Sequence, residues 1–526
     1  MKLTKDNLYQ TVDTQYQAHK DSFEAISDYI FRHPEVGGEE IQSATYLTQV
    51  LKKYGFSVSN PAVQLPTAFM AQYGPGTGLT IAFVAEYDAL PGFGPNGSPG
   101  HACGHNWIAA TMCACAICMR DAADKLGCRI QVIGAPAEET FGAKYDLIQA
   151  GVFQGVDFVF QAHLDEFNSL ETLSLAMNSL EFDFHGFPAH AAQNPEKGIN
   201  ALDAVIIMFN SVNAMRQQLP QSARVHGIIT HGGTATNTIS EFAQCRFSIR
   251  AKTKGYLAEM RRRLLKIAEG ASLATGAGLK YRDYENPFDD MINVKCLTSL
   301  CRHHFEDLGI EGFVPEEQYP GSGSSDIGNV SYICPTVYCE IALEGEGDPV
   351  IVHEKSALSL VNSPRASKLM EKVVRAYTYS AIDLCLDDTL CQKAREEHRD
   401  DLVVIVAGYT DLMDRFIHSN PGLESRFNRF LLFEDYTSDE MLDIFKMQCK
   451  KGCYQLSDGV EELVRDYITE ENGDPETFGN ARGVRNIFEH ILVAQNNRLA
   501  AMETVTKEDL MTLTQDDVLH ARGKLD

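Results

Sequence analysis

The feature that most constrains the fold is an alternation of short apolar strands with helices over the first 177 residues. The runs "LTIAFVA" and "VDFVFQAHLD" have the length and composition of buried strands. The stretches "SFEAISDYIFR" and "HNWIAATMCACAICMRDAADKLG" instead have the length and apolar spacing of helices. Because strands that alternate with helices form largely parallel sheets, we predict an α/β fold with its functional residues at the strand ends.

A segment of different character interrupts this alternation. Residues 178–285 contain the strand-like runs "SLEFDFHGF", "ARVHGIITHGG" and "CRFSIRAK", together with two long helical stretches, the first with Asn200 as its N-cap. The alternating pattern returns over 286–386. We therefore predict one α/β domain formed by residues 1–177 and 286–386, with a smaller α+β domain at 178–285 inserted into it.

The last part of the chain, residues 387–526, forms a third region. The runs "RDDLVVIVAGY" and "RFLLFEDY" predict two strands, and helical segments follow. Thr437 and Glu440 have the spacing of a helix capping box. The character of the sequence changes near Leu384–Asp388, and no linker rich in glycine, serine or proline separates the two regions.

Composition excludes several classes of function. The chain has 46 basic and 72 acidic residues, giving a formal net charge of −26, which argues against nucleic acid or an anionic membrane as partner. No apolar run approaches the roughly 18 residues needed to span a bilayer, and the first residues, "MKLTKDNLYQ", lack a signal peptide's apolar segment. The 14 cysteines show no disulfide framework, so we expect a cytoplasmic protein.

Two histidines and a cysteine fall within the eight residues "GHACGHNW". Cys103 and His105 are two positions apart, and in an extended loop their side chains point the same way. Thiolate and imidazole are ligands that Zn²⁺ and similar transition metals prefer. The alternative is a glycine turn that contains a buried thiol and two incidental imidazoles.

Further ligand-type residues follow the apolar strands. Glu138 and Glu139 come after "QVIGA"; as neighbours in an extended segment they would face opposite ways, one toward a metal and one toward a substrate. His163 and His353 also stand near strand ends. Each of these alone is open to a structural interpretation, as an acidic turn or a hydrogen-bonded histidine. Their convergence at several strand ends favours a metal site.

Eight ordered motifs then carry a family resemblance over about residues 10–386. They are "HPEVGGEE", "AEYDALPG", "GHACGHN", "PAEET", "HGFPAHAAQNPEKGINALDA", "GGTATNTI", "SSDIGNVS" and "VHEKSA". This set resembles the dinuclear-metal amidohydrolases, which include hippurate hydrolase, the auxin-conjugate hydrolases and the aminoacylase-like enzymes. With Asn106, the third motif most resembles the branch of the family that contains p-aminobenzoyl-glutamate hydrolase and the aminoacylase-1-like dipeptidases.

The resemblance implies a metallopeptidase-like catalytic domain that hydrolyses an amide bond in an N-acyl amino acid or dipeptide-like substrate. It implies two divalent ions, Zn or Mn, whose bridging water attacks the amide. Glu138 would be the general base, Asp88 would orient a ligand histidine, and Glu86 would support the site without binding metal. The implied metal ligands, with Cys103 between the two ions, are Cys103, His105, Glu139, His163 and His353.

The resemblance also assigns the insert as a lid and dimerisation domain. His190 would stabilise the oxyanion, acting in the partner's site of a homodimer, while Asn237 and Arg250 would bind substrate. The fork of an arginine suits a substrate carboxylate, although a surface arginine of a strand is the alternative for Arg250. The implied partner is therefore a small amide that carries a carboxylate.

Residues 388–520 resemble a second family, the AAA+ ATPases of the rubisco-activase and sporulation-protein-K type. The resemblance implies an arginine finger at Arg426 in "GLESRF" and a sensor arginine at Arg482 in "GNARGVRN". The sequence contains no G-x-x-x-x-G-K-[ST] loop, so we expect a partial AAA+ core with a mainly helical lid and no functional ATP site. The alternative function for the chain is a non-catalytic interaction protein whose AAA+ remnant docks onto an AAA+ assembly.

Overall fold

The computed structural model describes residues 4–319, 323–399, 408, 410–418, 431–432, 434–473 and 478–523. The chain divides into two compact units, residues 1–403 and 404–526. The helices of the first unit are α1 (Lys5–Arg32), α2 (Ile41–Lys53), α3 (His105–Leu126), α4 (Ala143–Gln149), α5 (Ala201–Arg216), α6 (Lys254–Thr275), α7 (Lys295–Asp307), α8 (Ile327–Ser331), α9 (Pro364–Leu386) and α10 (Asp388–Arg399).

A six-stranded sheet forms the centre of the first unit. Its strands are β1 (Ser57–Ser59), β2 (Phe69–Tyr73), β3 (Thr80–Ala85), β4 (Arg129–Gly134), β5 (Phe158–Asp165) and β10 (Thr336–Ala342), in the spatial order β1-β2-β4-β3-β5-β10. The four strands β4, β3, β5 and β10 are parallel, and β1 and β2 add an antiparallel edge. The predicted α/β fold with a mainly parallel sheet is confirmed.

Burial on both faces explains the continuous apolar character of these strands. All six residues of β3 are buried, as expected for a parallel strand covered by helices. One covering helix, α3, is buried along most of its length, including its cysteines Cys113, Cys115 and Cys118, which are free thiols in the core. These cysteines therefore fill space between helices.

A four-stranded antiparallel sheet is inserted between β5 and α7. Its strands are β6 (Ala176–His185), β7 (Arg224–His231), β8 (Phe242–Ala251) and β9 (Gly278–Asp283), in the order β7-β8-β6-β9. Helices α5 and α6 pack on this sheet around a separate hydrophobic core. Asn200 caps α5, because its side chain accepts a hydrogen bond from Leu202 N at 3.2 Å.

The chain enters and leaves this inserted sheet side by side. Met177 N donates to Phe288 O at 2.8 Å, and Phe288 N donates to Met177 O at 3.0 Å. The two connections are thus joined by an antiparallel bridge. The insert is attached to the parallel sheet through this pair of adjacent segments.

The second unit is mainly helical where it is described. Its helices are Thr410–His418, Ser438–Lys451, Val460–Glu471, Ala481–Ala500, Lys507–Met511 and Gln515–Ala521, and Gln455–Leu456 pairs in parallel with Thr512–Leu513. The capping box of Thr437 and Glu440 is present. The strand predicted in 402–407 and the predicted arginine finger Arg426 lie outside the described residues, and Leu431 and Leu432, which are described, form no strand.

Helix α10 belongs to the first unit, although the sequence suggested a boundary before it at 387. Cys391 and Ala394 are buried in the core of the first unit, and Glu397 Oε2 accepts a hydrogen bond from Cys296 N at 2.8 Å. The division between the units falls after this helix. Among the described residues, no helix is both long and apolar enough to cross a membrane.

Candidate active site

The predicted metal ligands meet at the carboxyl edge of the parallel strands, where binding residues gather in such sheets. Their donor atoms form overlapping groups in which all atoms lie within 4.8 Å of one another. One group contains Cys103, His105 and His163, and a second contains Cys103, Glu139 and His353. Because Cys103 belongs to both groups, its sulfur occupies the middle of the cluster.

Short distances connect the members of this cluster. Cys103 Sγ lies 3.3 Å from His163 Nε2 and 3.5 Å from His353 Nε2. Glu139 Oε1 lies 3.2 Å from His353 Nε2 and 3.8 Å from His105 Nε2. The cluster thus joins residues from the ends of β4 and β5, the start of α3 and the loop after β10.

The hydrogen bonds of two histidines leave one ring nitrogen available for a metal ion. His163 Nδ1 lies 2.7 Å from the carbonyl oxygen of Leu164, and His105 Nδ1 lies 2.9 Å from Asp88 Oδ1. Because these oxygens accept hydrogen bonds, each Nδ1 carries a proton, and Nε2 is left as the ring nitrogen that can bind a metal ion. Buried His105 Nε2 has no hydrogen-bond partner within the described chain. Such nitrogens beside a cysteine sulfur and a carboxylate fit a transition-metal site.

The turn that carries Glu138 and Glu139 differs from the extended segment that we predicted. Ala137 has a positive φ of 59°, and Glu138 and Glu139 stand in a turn. Both carboxylates therefore point to the same side, where they lie with His105 in a third group of atoms within 4.8 Å of one another. The expectation that the two carboxylates face opposite ways is wrong.

Two buried carboxylates hold this turn through its backbone. Glu40 Oε1 accepts hydrogen bonds from Gly38 N at 2.9 Å and from Ala137 N at 2.8 Å. Asp88 Oδ2 accepts one from Glu139 N at 2.9 Å. The backbone is therefore fixed on both sides of Glu138. The other oxygen of Asp88, Oδ1, lies 2.9 Å from His105 Nδ1.

The segment before α3 also departs from the expected extended loop. Gly104 has a φ of 86°, which favours glycine, and His105 is the first residue of α3. Cys103 and His105 reach the same cluster through this tight turn into the helix. The proximity of the two side chains was predicted, but the local geometry that produces it was not.

Glu138 differs from Glu139 in its surroundings. Burial, followed by the charges of Glu86 and Glu139, raises the pKa of Glu138 well above the ordinary carboxyl value. No hydrogen bond to the Glu138 carboxylate is found among the described residues, whereas Glu139 is paired with His353. The site thus contains one carboxylate engaged with histidine and one that accepts no hydrogen bond from the described residues.

Sequence reasoning missed Lys144 and Asp326. Lys144 is fully buried and its Nζ contacts both Glu86, at 2.5 Å, and Asp326. Asp326 stood within the motif "SSDIGNVS", but Lys144 lay outside all quoted motifs. The only signal in the sequence was its position, in "GAKYD", a few residues after the strand-end glutamates.

None of the described contacts joins the three residues predicted on the insert to this cluster. His190 and Asn237 are neighbours, because Ala191 N donates to Asn237 O at 3.0 Å and His190 forms a bridge with Thr238. Both residues are exposed. Arg250 is also exposed, and its Nε lies 3.3 Å from Met177 Sδ. The structure therefore pairs His190 with Asn237 and brings none of the three to the metal ligands.

Comparison with known proteins agrees with this arrangement. Residues 82–380 match the profile of peptidase family M20/M25/M40, and residues 437–525 match that of the AAA lid domain. The mouse (Mus musculus) Xaa-Arg dipeptidase is 31% identical over 390 residues, which cover 71% of this chain and 88% of the relative. One of the subunits of the p-aminobenzoyl-glutamate hydrolase of Escherichia coli is 27% identical, covering 74% of this chain and 95% of that one.

A solved structure and an algal relative extend the comparison. A Staphylococcus aureus protein, described as an aminohydrolase, superposes with a TM-score of 0.60 at 19% identity, covering 71% of this chain and 99% of that chain. The C-terminal region is 40% identical over 150 residues to the chloroplastic ribulose bisphosphate carboxylase/oxygenase activase of Cyanidioschyzon merolae, covering 28% of this chain and about half of that protein. The profile match and the dipeptidase relative show that this chain belongs to peptidase family M20/M25/M40. The chain is therefore a metal-dependent amidohydrolase, and it also carries an AAA lid domain.

Proposed function

We propose that the chain hydrolyses the amide bond of an N-acyl amino acid or a dipeptide-like substrate, with Glu138 as the general base. The observation that carries the proposal is the contrast between the two adjacent glutamates. Glu139 is engaged with His353, whereas the Glu138 carboxylate lies against the cluster without a hydrogen-bond partner in the described chain. A free carboxylate beside a metal cluster suits proton transfer.

The proposed ligands of two divalent ions, Zn or Mn, are Cys103, His105, Glu139, His163 and His353. Bound ions of this kind supply a Lewis acid and lower the pKa of a water molecule. Glu138 would take the proton of the attacking water and pass it to the leaving amine. Its pKa, raised by burial and by neighbouring carboxylates, suits a group that holds the proton between these two steps.

We further propose that the insert contributes to substrate binding in a homodimer. His190 and Asn237 are adjacent and exposed, so a second copy of the chain could receive both. Arg250 is exposed on β8, where its guanidinium could bind a substrate carboxylate in a bidentate manner. In this proposal His190 supplies the hydrogen bond that stabilises the oxyanion.

Two carboxylates beside the cluster indicate which side chain a substrate would carry. Glu340 on β10 is paired in register with His163 on β5, so the two side chains share one face of the sheet. Asp165, two residues after His163, lies on the same face. Within the described chain, neither carboxylate forms an ion pair with a lysine or arginine, and Glu340 Oε2 accepts a hydrogen bond from the Tyr319 hydroxyl. They would suit a basic side chain, which agrees with the name Xaa-Arg dipeptidase of two relatives.

The general-base role is tested with Glu138→Gln in the metal-loaded enzyme. We expect the metal content to stay at the wild-type level while kcat for an N-acyl amino acid falls at least about 100-fold, the lower range of general-base contributions. Glu39→Gln, which changes an exposed glutamate, is the matched control. Normal turnover by Glu138→Gln would remove Glu138 from the mechanism.

The substrate class is tested with Glu340→Gln. This variant should lower kcat/KM for a dipeptide with a C-terminal arginine by about tenfold or more, the scale of one lost ionic contact. The same measurement on a dipeptide that ends in leucine should change little. Glu166→Gln, at an exposed position, serves as the control. Equal losses on both substrates would argue against a basic substrate.

A further inference from the structure

A second group of carboxylates lies next to the metal-ligand cluster. Oxygen atoms of Glu86, Glu138 and Asp326 lie within 4.8 Å of one another. Glu86 and Asp326 are buried. Negative charges this close in a buried site repel one another, so their ionised forms require a cation among them.

The cation present at this position is the ammonium group of Lys144. Its Nζ lies 2.5 Å from Glu86 Oε1 and also contacts Asp326 Oδ1. The backbone N–H of Lys144 donates to Asp326 Oδ2 at 2.9 Å. Asp326 therefore holds Lys144 at both its backbone and its side chain, at the start of α4.

Glu86 is the member of this carboxylate group that also approaches a proposed metal ligand. Its second oxygen, Oε2, lies 3.8 Å from His105 Nε2, which is the nitrogen proposed to bind metal. A carboxylate there has the chemistry of a metal ligand. The other oxygen, Oε1, is engaged by the ammonium group of Lys144. Glu138, by contrast, has no hydrogen bond to Lys144 among the described residues.

We propose that Lys144 is the built-in counter-cation of this carboxylate group and a positioning residue for amide hydrolysis. It holds Glu86 and Asp326 in place and offsets part of their negative charge, so that Glu86 does not enter the metal site and Glu138 keeps its place beside it. The catalytic part of this inference rests on the proposed function. Because the lysine side chain is fully buried, it does not contact substrate, and its loss should lower kcat more than it raises KM.

The test compares four full-length, metal-loaded proteins: wild type, Lys144→Met, Glu86→Gln and the double variant Lys144→Met/Glu86→Gln. Kinetics use an N-acyl amino acid, and metal per chain is measured for each protein. We expect Lys144→Met to lose at least about 100-fold in kcat with KM within about threefold, because it leaves buried carboxylates unpaired. Lys125→Met, at an exposed lysine of α3, is the matched control.

Rescue distinguishes a counter-charge from simple packing. Removing the charge of Glu86 in the double variant should restore kcat at least about tenfold over Lys144→Met, since one unpaired carboxylate is then gone. A double variant no better than Lys144→Met would overturn the proposal, because a packing role is not repaired by a neutral glutamine.

A stability measurement keeps the inference independent of the proposed function. The urea midpoint of Lys144→Met should be lower than that of wild type, and the double variant should recover part of the loss even if no amide is hydrolysed. If Lys144→Met does not fold, Lys144→Arg, which keeps the charge, should fold with wild-type metal content. Failure of both the arginine variant and the double variant to fold would show that the charge is not what matters, because arginine alone could fail through its larger size.

Discussion

Glu40 Oε1 accepts a hydrogen bond from the backbone N–H of Ala137 at 2.8 Å, joining the segment after α1 to the turn that carries Glu138 and Glu139. Ala137 needs this support because its φ of 59° is unfavourable for a residue other than glycine. Asp88 secures the other end of the same turn. The position of the proposed base thus depends on two carboxylates that do not belong to the turn.

Glu40 should make stability depend on pH. Burial, together with the charge of Asp88, raises the pKa of Glu40 from 4.5 to about 7. Its contribution to stability is therefore fully present below about pH 4.5 and is lost as the pH rises through about 7. Glu40→Gln keeps the oxygen acceptor without ionising. We expect its free energy of unfolding to match wild type at pH 4.5 and to exceed it by up to about 3 kcal/mol at pH 8.5.

Urea unfolding at the two pH values measures this effect. Glu39→Gln, at the neighbouring exposed position, provides the control and should show no such difference. A Glu40→Gln effect of equal size at both pH values would contradict the raised pKa of Glu40.

Asp88→Asn should weaken metal binding. Asp88 contacts His105 Nδ1 through one oxygen and Glu139 N through the other, at 2.9 Å each. An asparagine offers only one acceptor oxygen, so one of the two proposed ligands loses its support. We expect a loss of about 10–100-fold in metal affinity, the usual effect of removing such a partner. Competition with a chelator measures it, with exposed Asp203→Asn as control; unchanged affinity would show that Asp88 does not orient the ligands.

Mixing two inactive variants tests whether the insert acts across a homodimer. His190→Ala and Glu138→Gln chains should each be inactive alone. In an equal mixture that exchanges subunits, half of the dimers are mixed, and one site in each contains both intact residues. We therefore expect about one quarter of wild-type activity. No recovery, once exchange has been verified by mass, would place the action of His190 within its own chain or remove it from the mechanism.

Two truncations should differ in stability. A chain that ends after residue 403 retains α10, whereas one that ends after 386 lacks the helix that buries Cys391 and Ala394 and bonds to Cys296. We expect the longer chain to keep kcat/KM within a few-fold of wild type. The shorter one should lose at least about 2 kcal/mol of unfolding free energy, the scale of a buried apolar contact surface. Equal urea midpoints would show that α10 adds nothing to the first unit.

The ends of the apolar strands made much of the cluster predictable. His163 closes a continuous buried strand, and Glu138 and Glu139 follow another, so the sequence predicts that these side chains meet at one edge of the sheet. Lys144 could not be predicted in this way. Its burial depends on Asp326, which is distant in the chain, and a lysine on a short helix usually faces solvent.

Local geometry was harder to predict than proximity. The positive φ of Ala137 is supported by a hydrogen bond from its N–H to Glu40, a residue distant in the chain. An alanine gives no signal of such a turn, since glycine is the usual residue there. The start of α3 at His105 could not be predicted either, because Gly104 is equally compatible with an extended loop and with a tight turn.

The order of the strands along the chain has a consequence for biosynthesis. β10 pairs with β5 in parallel, yet the whole four-stranded insert is translated between them, and His353 is translated later still. A nascent chain that has reached the insert therefore presents β5 with one edge unpaired and the metal-ligand cluster without its last histidine. Such an edge is open to association with other chains. The metal centre can be completed only after the inserted sheet has been made, so the insert has the opportunity to fold first.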